Sequence, residues 1–187
     1  EQTTKIGRKE KMSEEFDSKK AGDKSYVLGK VKQDGKLLDL ASEKLKDDEE
    51  VAMAGVEQNP VALEFVSERL KNNPEIVMQS VKRVGWTACY ASEKLQANKN
   101  IILAGVKVDG QILYYASKEL RDDEEVVLEA VKQKGLILKY ASKRLRANKQ
   151  IVMAAIIQDK RAKEYIASEE LKNDEDIQLI LNPPQEG

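Results

Sequence analysis

The sequence predicts an all-α fold: an α-solenoid, right-handed or similar, of short helix pairs in about six tandem 25-residue repeats. Three observations predict it. The chain divides into rows of 25 residues that match one another in frame. Every row opens on Asp or Asn, residue types whose side-chain oxygen caps a helix N-terminus. Within each row apolar residues recur at helical spacing.

The rows begin at Asp23, Asp48, Asn73, Asn98, Asp123 and Asn148. The sixth carries one extra residue in its second half, and a seventh start at Asp174 ends after a turn or two. In the first helix of a row, Glu often follows the cap, as in Glu49-Glu50 and Glu124-Glu125, where it meets the positive end of the helix dipole. Apolar residues then fall at row positions 4, 5, 6 and 9: Val126, Val127, Leu128 and Val131 in row five. That spacing marks one helical face. Gly35, Gly85, Gly110 and Gly135, each at position 13, are predicted to close this helix as left-handed C′ residues, and Pro60 to stop it in row two.

The second helix of a row is expected to follow with almost no loop. Its inward face reads Leu, Ala, Ser, Leu, as in Leu113, Ala116, Ser117 and Leu120, with an aromatic residue or Leu beside them. About ten residues make a helix of about 15 Å, which is marginal alone in water. Such helices persist by stacking on the rows before and after. Residues 1–22 read as a flexible charged tail with a short capping helix from Ser13, residues 23–173 as the six-repeat solenoid, and residues 174–187 as a truncated seventh repeat and C-terminal tail ending in Asn182-Pro183-Pro184.

Composition prunes function. Charged residues make up 35% and aromatics 5%, which suits an elongated protein rich in surface. The net charge of −1 argues against a general polyanion binder. With no histidine, Ser-His-Asp and Cys-His catalysis, His metal sites and His pH switches are out. Cys89, the single cysteine, can form neither an internal disulfide nor a multi-cysteine metal site. No apolar run reaches the ~18–20 residues of a membrane span. No enzyme, cofactor or metal is expected.

The unit V-x-x-A-V-K-Q-x-G, then L-x-Y-A-S-x-x-L-K-x-D, resembles a bacterial tandem helical repeat family known as a domain of unknown function. The match is carried by Val27 to Gly35, by Val127 to Gly135 with Tyr140-Ala141-Ser142, and by Tyr115-Ala116-Ser117. It covers about residues 23–173, with departures at Pro60, Val66 and Lys160. The resemblance implies an interaction or spacing module, often part of larger proteins of host-associated bacteria, cytoplasmic or secreted as an effector. It supplies no catalytic residues. The period is too short for tetratricopeptide, ankyrin or HEAT units.

Rows can be compared inside one chain. Position 14 varies most: Lys36, Val61, Trp86, Gln111, Leu136 and Arg161. Position 17 varies too: Asp39, Glu64, Cys89, Tyr114 and Lys139. On one helix these positions share a side away from the Leu-Ala-Ser-Leu face. Trp86, Cys89, Tyr114 and Leu136 therefore form a candidate protein-binding stripe, with packing on the next row as the open alternative. A basic run between Glu129 and Asp159 places Lys139, Lys143 and Arg146 at i, i+4, i+7, a candidate anion-binding face. Its alternative is a solvated face. The acidic clusters Asp47 to Glu50 and Asp122 to Glu125 straddle row boundaries and are assigned to helix capping. The expected partner is another protein, with the chain monomeric or weakly self-associating. Nucleic acid or an anionic ligand on residues 132–149 is the alternative.

Overall fold

The structure, a computed structural model, describes residues 16–184. Among them every regular element is a helix, and none is long and apolar enough to cross a membrane. The described residues form two compact units, divided between Ser92 and Glu93.

Numbering only the first helix of each row, the first unit holds α1 (Lys24–Val31), α2 (Glu49–Gln58) and α3 (Pro74–Val81). The second holds α4 (Lys99–Val108), α5 (Glu124–Gln133), α6 (Lys149–Gln158) and α7 (Glu175–Leu181). Each row's opening Asp or Asn caps its helix. Asp48, for example, accepts from the backbone N–H of Glu50 and Val51. Within each unit the first helix of a row packs on that of the next: α1 on α2 on α3, and α4 through α7 in order.

The buried face differs by one position from the sequence reading. In α5 it is Val126, Val127, Ala130 and Val131, while Leu128 is half-buried. Position 6 thus lies at the edge of the outer face, and the small residue at position 8 turns inward. Gly55, Ser80, Gly105, Ala130 and Ala155 hold that place.

The second half of a row is not one helix. It begins as a 3-10 helix: Gly35–Leu40, Pro60–Phe65 and Gly85–Tyr90 in the first unit, and Gly110–Tyr114, Gly135–Tyr140 and Lys160–Tyr165 in the second. In most rows the chain then becomes extended at position 19, with Ala41 at φ −70°, ψ 156° and Ala141 at φ −66°, ψ 156°. A short turn such as Glu43–Lys46 closes the row. The cause is a hydrogen bond between rows. The Ser42 N–H donates to the Ala21 carbonyl (2.8 Å), Ser67 to Lys46 (3.0 Å), and Ser142 to Arg121 (2.9 Å). A continuous α-helix would keep that N–H for its own ladder. The same leucines still turn inward, joined by position 15: Leu37 and Leu38 are buried together, as are Ile137 and Leu138.

Gly35, Gly110 and Gly135 serve a close approach, not a left-handed cap. No glycine among the described residues has positive φ. A Cβ on Gly35 would stand 2.2 Å from the Gly55 carbonyl oxygen, and one on Gly135 2.2 Å from that of Ala155. Only glycine lets the two backbones come this near. The exposed edge is then latched. Gln58 accepts from the Gly35 N–H (2.6 Å) and donates to the Gln33 carbonyl (2.9 Å), and Gln158 repeats the pattern on Gly135 and Gln133. Pro60 starts its 3-10 helix, and its carbonyl accepts from the buried Ser80 hydroxyl (2.8 Å).

Residues 16–22, grouped with the tail on composition, carry structure. Ser18–Lys20 form a 3-10 turn capped by Asp17, and Ala21 supplies the carbonyl that Ser42 needs. Phe16 is buried, edge-to-face on Tyr26 at 5.4 Å. This segment repeats the closing turn of a row. The helix expected from Ser13 begins outside the described residues.

Candidate functional site

In the second unit, the 3-10 helices Gly110–Tyr114 and Gly135–Tyr140 lie side by side and leave a groove of about 350 Å³ between them. Tyr114, Tyr115 and Tyr140 line it with Leu136, and Gln111, Lys134 and Lys139 stand at its rim. Tyr114 packs edge-to-face on Tyr140 (5.1 Å between centroids) and on Tyr115 (5.0 Å). These contacts hold the rings in place while Tyr114 stays 55% and Tyr115 39% exposed. The Lys139 ammonium sits 4.7 Å from the centre of the Tyr140 ring, a cation–π contact.

Two of the four stripe residues thus share one site. Tyr114 and Leu136 line the groove, joined by Lys139, which the spacing had sorted with the anion-binding face. Trp86 and Cys89 belong to the first unit, on the 3-10 helix Gly85–Tyr90. Trp86 is 41% exposed and meets Tyr90 edge-to-face at 5.7 Å. Cys89 is half-buried, and burial, followed by the charge of Glu64, pushes its thiol up from the usual range. Both effects disfavour the thiolate form.

The geometric premise of the anion-binding face does not hold. Spacing of i, i+4, i+7 requires one helix from Lys139 to Arg146, and the chain is extended at Ala141. Arg146 reaches the Tyr165 carbonyl at 3.4 Å. Three other cations of the basic run are engaged: Lys132 with Glu129, Arg144 with Asp122 and Glu124, Lys149 with Asp174 and Asp176.

Those ion pairs also correct the reading of the acidic clusters. Capping accounts for Asp48 and Asp123. The remaining acids join neighbouring rows. Arg69 bridges Asp47 (2.9 Å) and Glu49 (2.9 Å), and Arg144 repeats this on Asp122 (3.0 Å) and Glu124 (2.7 Å). Lys24 bridges Asp48 and Glu50, and Lys99 bridges Asp123 and Glu125. The Ser67 hydroxyl and then Arg69 hold the Asp47 carboxyl below its usual range, and Ser142 and then Arg144 do so for Asp122.

The chain is a run of like rows, each starting on its cap. The family model described as "Domain of unknown function (DUF4116)" matches residues 23–71, 48–95, 73–121 and 123–166. The chain belongs to the DUF4116 family. The matches begin at the caps of rows one, two, three and five and span about two rows each, so the family unit is a pair of rows. Comparison with curated proteins and with solved structures gave no match.

The DUF4116 rows present one further apolar surface that the sequence reading missed. Leu128, Met153, Ala154 and Ile157 line a shallow depression on the outer face of α5 and α6. Ile157 is 69% exposed at row position 10, where the other rows carry Lys32, Glu57, Lys82, Lys107 and Lys132. That departure from the repeat is legible in the sequence.

Proposed function

We propose that this DUF4116 chain is a non-catalytic α-solenoid module of six repeats that binds another protein, and that the tyrosine groove of rows four and five is its recognition surface. One observation carries the reading. Position 17 holds Asp39 and Glu64 in the first two rows, but Tyr114 in row four, where the ring stands more than half exposed beside Leu136 and Tyr140. Stacking of rows does not require an aromatic there. Exposed aromatic anchors beside an apolar floor and a charged rim are the usual make-up of protein interfaces. A larger bacterial, host-associated protein is the setting the family resemblance implies. The anion-binding alternative on residues 132–149 has weaker support, because Lys132, Arg144 and Lys149 are already paired with carboxylates.

The test is capture of a partner by the intact chain, followed by affinity measurement with purified partner. Tyr114→Ala and Leu136→Ser should weaken binding by at least about tenfold, the loss of about 1.4 kcal/mol expected of an interface anchor. Their helical circular dichroism and melting should stay close to those of the unaltered chain. Undiminished binding by both variants would remove the groove from consideration. Trp86→Ala, measured alongside, reports whether the first unit contributes.

A further inference from the structure

We propose that the groove accepts an acidic segment of a partner protein, with a bulky apolar side chain as its anchor. The proposal rests on the reading of the groove as a protein-binding surface and adds the chemistry of what fills it.

Charge points to the occupant. Two cations, Lys134 and Lys139, reach the groove, and no Asp or Glu lines it. Neither lysine has a carboxylate partner among the described residues, whereas Lys132, Arg144 and Lys149 nearby in sequence each have one. Lys139 is held in place by the Tyr140 ring rather than by an acid. Two lysines thus stand without a carboxylate at one apolar site, and an incoming carboxylate would match them.

The array itself points the same way. In the first unit the Tyr90 hydroxyl hydrogen-bonds to Glu64 at 3.1 Å. Glu64 stands at position 17 of the preceding row. For Tyr140 the same position of the preceding row is Tyr114, and the Tyr140 hydroxyl makes no hydrogen bond among the described residues. In row four Tyr114 stands where row two has Glu64, so the Tyr140 hydroxyl lacks the carboxylate that Tyr90 has. A glutamate or aspartate of the partner fills the role that Glu64 fills internally. The apolar anchor then rests on Tyr114 and Leu136.

A nucleic acid would also be drawn to lysines beside aromatic rings. Base stacking, however, needs open ring faces in series. Here the rings pack edge-to-face, with interplanar angles of 65° and 81°, and Lys139 covers one face of Tyr140. The groove favours peptide.

The experiment selects random dodecapeptides displayed on phage against the intact chain, with counter-selection against Tyr114→Ala. Selected peptides are then synthesised, and their affinities measured by fluorescence anisotropy. The expected peptides carry net negative charge and one Leu, Ile, Phe or Trp. Replacing their Asp and Glu by Asn and Gln should weaken binding about tenfold or more. The Lys134→Gln/Lys139→Gln double variant should lose a similar factor while melting like the unaltered chain. Salt at ~0.5 M should weaken the acidic peptides more than the amide versions. Neutral or basic peptides that depend on Tyr114 would overturn the acidic inference and leave the groove as a protein-binding site. Absence of any Tyr114-dependent peptide would overturn both. Tighter binding of oligothymidylate than of the selected peptides would overturn the inference in favour of nucleic acid.

Discussion

Replacing Gly135 by Ala tests the packing of neighbouring rows at its tightest point. The added Cβ would meet the Ala155 carbonyl oxygen at 2.2 Å and the Asp159 nitrogen at 3.1 Å. Ordinary carbon–oxygen approaches are about 3.3 Å or more, so the two backbones must part by roughly 1 Å. The Ala155 carbonyl cannot yield freely, because it accepts the Asp159 N–H (2.9 Å) at the end of α6. Overpacking of this kind costs about 1–3 kcal/mol. The entropy gained by removing a glycine from the unfolded chain returns about 0.4–1 kcal/mol. The 2.2 Å contact is with backbone and belongs at the severe end of that range, so the net loss is about 2 kcal/mol, or roughly 4–8 °C in melting temperature for a chain of this size. Gly29 is the control. It is exposed within α1 with nothing within 4 Å of its added Cβ, so Gly29→Ala should stabilise by about 0.5–1 kcal/mol. Urea and thermal unfolding followed by circular dichroism measure both. Gly135→Asn separates the close approach from a left-handed cap, since asparagine tolerates the left-handed region and would partly rescue a cap. Under close approach it fails at least as badly as alanine. A neutral Gly135→Ala, or an Asn variant clearly better than the Ala one, would refute the reasoning.

Two other outcomes follow from the same packing. Leu145 is fully buried, so Leu145→Ala should cost about 2–5 kcal/mol in urea unfolding, and a cost within the surface range of about 0.5 kcal/mol would mean it is not core. Asp47, Asp122 and Asp174 are held below their usual range, by Ser67, Ser142 and Lys149 respectively, so these carboxylates contribute stability above the unfolded carboxylate range that is lost as pH falls through their folded values. The urea midpoint should therefore hold steady from neutral pH to about pH 4 and drop below it, less steeply at high salt; a midpoint that rises on acidification would contradict the assignment.

The register of the fold was legible because capping and periodicity act locally. Asp or Asn at every row start does the work its chemistry predicts, and Val126, Val127 and Val131 face inward as their spacing implies. The break at Ala141-Ser142 was not legible. Leu138, Ala141 and Leu145 point inward in a 3-10 helix followed by an extended step, much as they would in one α-helix. What decides between the two is a backbone hydrogen bond to the previous row, which has no side-chain signature. Gly135 misled for a related reason: glycine answers both a positive φ and a close neighbour, and only the folded chain tells which. Phe16 lay in a charged stretch without a leucine at the matching row position, so its half-row was hidden. At the candidate site, departure from the repeat located Tyr114 and Leu136. Lys139 was sorted with the wrong residues because its spacing was counted on a helix that the chain does not continue.

The central claim is that rows are interchangeable as structural units while rows four and five alone build the recognition groove. Deleting one whole row at a time tests both halves in a single binding-and-melting measurement. Removing residues 123–147 takes away Leu136, Tyr140, Lys134 and Lys139 and the Lys99 ion pairs with Asp123 and Glu125, but leaves Gly110 and the caps in register with the row that follows. That chain should remain helical, melt cooperatively at a lower temperature, and lose binding to the captured partner. Removing residues 48–72 should lower the melting temperature similarly and leave binding within about twofold of the intact chain. Unfolding of both deletions would contradict the row as the structural unit, and retained binding after loss of residues 123–147 would contradict the groove as the recognition surface.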